Sequence, residues 1–160
     1  MEGAMARIGR RGFLGAGLAM LATPLLAQRA PRVEVWRDPN CGCCGGWIDH
    51  LRAEGFVVTD HRVASVGAVR AQLGTPSDLL SCHAARVEGL LIEGHVPAHA
   101  IRLALAERPA GVVGLAVPAM PAGTPGMEAP GIAPEVYDVI AWRADGSHVP
   151  WLRMRGAAPV

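Results

Sequence analysis

Apolar positions alternate with polar ones over Val33-Glu34-Val35-Trp36-Arg37, and the β-branched residues predict a strand. Asp38-Pro39-Asn40 reads as a turn. The period then changes: Cys44, Ile48 and Leu51 fall on one helical face, and Gly55 ends that helix. Phe56 to His61 reads as a second strand. Ser65 to Leu73 reads as a second helix with Val66, Val69 and Leu73 as its apolar positions, and Gly74 follows its end. Two short apolar runs, Ala84 to Glu88 and Leu90 to Glu93, flank Gly89 as a hairpin. A helix runs from Pro97 to about Glu107 with Ile101 and Leu105 inward, ended by Pro109. Residues 109–135 are rich in proline and glycine and are expected to be either a functional loop or a disordered tail. Val136 to Trp142 and His148 to Leu152, around Ala144-Asp145-Gly146, read as a closing hairpin that brings the loop back to the domain.

Strand–helix–strand–helix followed by strand–strand–helix (βαβα-ββα) is the element order of an α/β, thioredoxin-like fold. The expected organisation is an export signal over residues 1–27, a thioredoxin-like domain over 28–108 and a C-terminal extension over 109–160 that packs on it.

Composition sharpens this picture in two places. At 160 residues the chain is long enough for one domain, and a formal charge of +1 with no basic stripe argues against nucleic acid as a partner. Near the start, Arg10-Arg11-Gly12-Phe13-Leu14 precedes an uncharged apolar run, Gly15 to Ala27. Paired arginines before such a run resemble a twin-arginine leader cut near Ala27, and the run is shorter than the ~20 residues that cross a bilayer. The destination is then the periplasm, with no membrane contact after cleavage. A retained anchor is the alternative. In that oxidising compartment neighbouring thiols tend to become disulfides unless something such as a metal holds them.

The chemistry concentrates in Cys41-Gly42-Cys43-Cys44-Gly45-Gly46, between the first strand and first helix. A helix N-terminus favours anions, so thiol pKa values should fall there, and the three glycines should let the backbone turn around the sulfur atoms. Cys41 and Cys44 have the Cys-x-x-Cys spacing of a redox pair; Cys43 is a third sulfur that a plain dithiol oxidoreductase does not need. With Cys82, four sulfurs could make a zinc site, but zinc usually takes two separated pairs. Soft thiolate and thioether donors select Cu(I), and Met120 and Met127 lie in the Pro/Gly segment. Ordinary structural roles compete: Cys82 as a buried small hydrophobe, the methionines as gap-fillers, and His95 as a partner of the following turn. His50, His61, His99 and His148 read as surface or satisfied residues, and Trp36 and Trp47 as packing that shields the cysteine turn.

Four blocks, in order, resemble the CopG-like family of exported bacterial copper-resistance proteins. They are Cys41-Gly-Cys-Cys-Gly-Gly-Trp47, Ser81-Cys82-His83, Glu93-Gly-His-Val-Pro97 and Gly114-Leu-Ala-Val-Pro-Ala-Met-Pro-Ala-Gly-Thr-Pro-Gly-Met-Glu128. The resemblance implies a thioredoxin-like domain whose extension contributes to metal binding, and copper held as a cysteine-bridged multinuclear cluster. It implies Cys41, Cys43, Cys44 and Cys82 as sulfur ligands, with His83, Met120 and Met127 as further candidates by position. The implied role is copper detoxification with interconversion of Cu(I) and Cu(II). Copper ions and a periplasmic copper-efflux system are the partners, and the chain is read as a monomer. Two other readings stay open: a thiol–disulfide oxidoreductase in which Cys41 attacks and Cys44 resolves, and a passive copper chaperone.

Overall fold

The computed structural model describes residues 29–160, so the expected leader lies outside the described residues. The elements in chain order are β1 (Arg32–Arg37), α1 (Gly42–Ala53), β2 (Val57–Arg62), α2 (Val66–Leu73), β3 (Ala84–Val87), β4 (Leu90–Glu93), α3 (Ala98–Glu107), β5 (Val112–Ala116), β6 (Val136–Arg143), β7 (His148–Arg155) and β8 (Ala158–Pro159). They build one eight-stranded sheet in the order β2-β1-β3-β4-β5-β6-β7-β8. The β1–β2 and β4–β5 pairs are parallel, the rest antiparallel. The first seven elements are the thioredoxin-like βαβα-ββα unit, and the later strands continue its sheet.

The core follows the apolar pattern. Val33 and Val35 of β1 point to the same side as Ile48 and Leu51 of α1 and Ile101 of α3, all essentially without solvent contact. Ala98, Ala100 and Ala104 bury small side chains, which lets α3 lie close to the sheet. Leu105, expected inward, is only partly buried.

Three expectations change. Val112–Ala116, read as part of one long loop, is β5, joined in parallel to β4 and antiparallel to β6. Its five residues are hidden from pattern reading by the proline and glycine on either side. β7 runs past the expected end at Leu152 to Arg155, and β8 pairs with it as a strand beyond the expected closing hairpin. None of α2's apolar positions is fully buried; the helix is capped by Ser65, whose side chain accepts from the Ala68 N–H at 3.2 Å. What α2 delivers to the interior is Arg70, through its polar head.

A smaller cluster of Leu79, Ala116 and Trp142 packs apart from the main core. Gly114 lies opposite Trp142 in the β5–β6 register, and a Cβ there would fall 2.2 Å from the indole ring. Gly114→Ala is therefore expected to cost roughly 1–3 kcal/mol by overpacking, measured by urea unfolding, with the Trp142 fluorescence shifted. Wild-type stability in that variant would show that the ring is free to move.

Candidate metal centre

Cys41 occupies the N-cap of α1, with extended backbone and no side-chain capping bond. Its N–H donates to the Asp38 carbonyl at 3.1 Å, closing the turn that leaves β1. One helical turn on, Cys44 is fully buried on the core face and forms a disulfide with Cys41. Cys43 and Cys82 remain free thiols, both half-buried. Cys43 Sγ lies 3.5 Å from Cys41 Sγ and 3.5 Å from Cys82 Sγ. All four sulfurs lie within 4.8 Å of one another, and no histidine or carboxylate atom belongs to that group. Cys82 thus joins the turn from 39 residues beyond Cys43.

The glycines act differently from the expected tight wrapping. Gly42, Gly45 and Gly46 are all helical, and a Cβ at Gly42 or Gly45 would meet nothing within 4 Å. Gly46 is the constrained one: its missing Cβ leaves room for the Gly126 Cα, which would sit 2.8 Å away. Gly126 has φ +88, and a Cβ on it would fall 2.4 Å from the Cys43 carbonyl oxygen. The Pro/Gly segment therefore lies backbone to backbone on the first turns of α1. Its own bonds give it shape: Met127 N–H donates to the Thr124 carbonyl at 2.7 Å, and Thr124 is fully buried. Just upstream, Ala119 takes φ +58, a left-handed conformation that non-glycine residues rarely adopt, and presents Met120 to the cysteines. Met120 Sδ lies 2.7 Å from Cys82 Sγ, while the side chain stays half exposed at 51%.

The position of Cys82 is set by a buried ion pair. Glu93 is fully buried at the end of β4 and takes Arg70 Nη2 at 2.6 Å and Nε at 3.0 Å. The same carboxylate accepts from the Ser81 N–H at 2.7 Å, and Arg70 Nη2 donates to the Ser81 carbonyl at 2.6 Å. The Ser81 hydroxyl in turn donates to the Ala119 carbonyl. One clamp thereby fixes the neighbours of both Cys82 and Met120. On the other side, Arg37 is paired in two bonds with Asp60 and donates to the Cys41 carbonyl at 3.1 Å. Burial raises the Glu93 carboxyl above the usual range, against the lowering by Arg70. Burial, then the adjacent Cys43 sulfur, push the Cys82 thiol up to about 12.

His83 does not belong to the sulfur group. It is fully buried against Trp47, ring centroids 4.3 Å apart, and edge-on to His95 at 5.1 Å. Neither His83 nitrogen has a hydrogen-bond partner, and burial lowers the pKa of both histidines, that of His83 well below the usual imidazole range. His95 Nδ1 donates to the Pro125 carbonyl at 2.7 Å, so this histidine also ties the Pro/Gly segment down, as a partner of a turn. Trp47 Nε1 donates to the Val96 carbonyl at 2.9 Å and closes over the interior side. Trp36 shields nothing there; it stacks on His61 at 5.5 Å on the outer face of β1. Met127 sits at the base of the loop, its backbone N–H and carbonyl bonded to Thr124 and Gly123. His50 Nε2 accepts from the Ala98 N–H at 3.1 Å and so caps α3.

Sequence reasoning missed Arg37, Arg70 and Glu93. Only Arg37 carried a signal, since it continues the buried alternation of Val33 and Val35.

Among the described residues no helix is long and apolar enough to cross a membrane. Residues 79–127 match a family model described as a protein of unknown function, DUF411. That span contains Ser81, Cys82, Glu93 and both loop methionines, but neither Arg70 nor the cysteine turn. No match is found among curated proteins. Two solved structures are similar. One, of copper resistance protein CopG in form 2, has 44% identity and a TM-score of 0.73 over 79% of this chain and 99% of that one. The other, CopG in form 1, has 46% identity and a TM-score of 0.71 over 78% of this chain and 98% of that one. Given that identity across nearly the whole of each solved relative, together with the thioredoxin-like sheet and its converging sulfurs, the chain belongs to the CopG family of copper-resistance proteins.

Proposed function

We propose that this chain is a periplasmic protein of copper resistance that takes copper as its cargo and interconverts Cu(I) and Cu(II). The observation that carries the reading is the convergence of four cysteine sulfurs, from two distant segments, within 4.8 Å of one another. Soft sulfur donors this close suit Cu(I), and thiolates packed together favour bridging between ions over separate tetrahedral sites. Cys41, Cys43, Cys44 and Cys82 are the proposed ligands once the disulfide is opened, with Met120 completing the exposed side. His83 and Met127 are candidates of a second rank, since neither shares the sulfur group. Export through the twin-arginine route and hand-over to an efflux system accompany this reading.

The direct test is copper content after anaerobic loading of the reduced protein. At least one copper per chain is expected. Cys43→Ser is expected to lower affinity tenfold or more, since even supporting residues around a metal typically cost about 10–100-fold. Undiminished loading in that variant would defeat the four-sulfur site.

The observed Cys41–Cys44 disulfide favours a second reading, a thiol–disulfide oxidoreductase acting on proteins. Insulin reduction that persists in Cys43→Ser and Cys82→Ser would select it.

A further inference from the structure

The disulfide divides the four cysteines into a bonded pair and a free pair, and only Cys44 of the four is fully buried. Cys44 is fully buried and bonded to Cys41 at the root of α1. Cys43 and Cys82 remain thiols, and with Met120 they form a chain of three sulfurs, 3.5 Å and 2.7 Å apart, that ends at a half-exposed side chain. The two sets touch through Cys41 Sγ and Cys43 Sγ at 3.5 Å. Oxidation of the Cys41–Cys44 pair thus leaves intact a soft-donor trio that reaches solvent through Met120, held by the Ser81 clamp and by the loop on α1.

We propose that Cys41 and Cys44 are the electron store for copper reduction and that Cys43, Cys82 and Met120 are the sulfurs that retain a Cu(I) ion when that store is oxidised. This rests on the copper reading above and assigns separate tasks within it. The step balances as follows. Two Cu(II) ions each gain one electron. The Cys41 and Cys44 thiols lose two electrons and two protons, and the Cys41–Cys44 bond forms. The products are two Cu(I) ions and the disulfide form of the chain; one Cu(I) stays on the trio. Return of the pair to thiols takes two electrons from an external dithiol.

The experiment uses full-length mature protein, reduced, desalted and titrated anaerobically with a Cu(II) salt, with three readouts. Electron paramagnetic resonance follows Cu(II), thiol counting follows the cysteines, and peptide mass mapping locates the disulfide. The expected result is loss of the Cu(II) signal over the first two equivalents, loss of two thiols, and a Cys41–Cys44 linkage. The disulfide form is then expected to hold one Cu(I) per chain against gel filtration, and Met120→Leu to weaken that retention about tenfold or more. A Cys43–Cys82 linkage, four surviving thiols beside a persistent Cu(II) signal, or no copper on the disulfide form would each overturn the division of tasks. If the reduced protein fails to bind Cu(I) supplied directly, the copper reading itself falls, and this inference with it.

Discussion

Replacing Glu93 with alanine is expected to lower unfolding free energy by about 3–5 kcal/mol, the range for removing one partner of a buried ion pair. Glu93 has no solvent contact, and Arg70 keeps only 15% of its side chain exposed. Without the carboxylate, the guanidinium and the Ser81 N–H lose their shared acceptor. Urea unfolding measures the loss; the midpoint of thermal unfolding should fall by roughly 10 °C or more. Copper loading should also drop, because Ser81 positions Cys82 and, through Ala119, Met120. The complementary Arg70→Ala should behave differently with pH. Glu93 already has its carboxyl raised by burial, and removing Arg70 removes the group that lowers it. A carboxyl that binds its proton more tightly in the folded than in the unfolded state favours folding in acid. That stability is lost as pH rises through the raised folded-state range. The Arg70→Ala penalty should therefore be smallest in acid and grow toward neutrality. A pH-independent penalty would show that Glu93 stays ionised by other means.

Gly126→Ala is expected to detach the Pro/Gly segment from α1. At φ +88 an L-residue is strained, and its Cβ would meet backbone on both sides, 2.4 Å from the Cys43 oxygen and 2.6 Å from the Trp47 nitrogen. Backbone atoms in a helix cannot swing aside as a side chain can. Conformational strain and overpacking each contribute on the order of 1–3 kcal/mol. The loop has the fewer anchors, so it should move rather than the helix. The readout is faster amide exchange at Thr124 and Met127, with retention of Cu(I) weakened while the core strands stay protected. Exchange rates at the loop equal to those of the parent protein would count against this docking.

Much of the fold could be read from periodicity. The alternation through Val33 and Val35 and the spacing of Cys44, Ile48 and Leu51 report a strand and a helix that both bury one face in the main core. β5 was not readable in this way, since proline and glycine on each side masked a five-residue run whose partners, β4 and β6, are supplied only by topology. The cysteine cluster was legible as a cluster. Its internal division was not, because Cys-x-Cys-Cys spacing allows a disulfide or a shared metal equally well. Met120 and Met127 have the same composition around them; only the left-handed Ala119 and the Ser81 bond bring Met120 to Cys82. Charged residues fully withdrawn from solvent, such as Glu93, look in a sequence like any surface charge.

β5 runs alongside β4 in the interior of the sheet, so β4 has neighbours on both sides only because the chain returns after α3. A chain ending at Glu107 would expose the backbone groups of Leu91 and Glu93 that face β5, among them the Glu93 carbonyl that accepts from the Val117 N–H, as an open template for strands from other molecules. Unprotected borders of that kind invite self-association. The C-terminal strands thus insulate the sheet as well as extending it, and shortening the protein toward a minimal thioredoxin-like unit would call for charge or proline along β4 to keep copies apart.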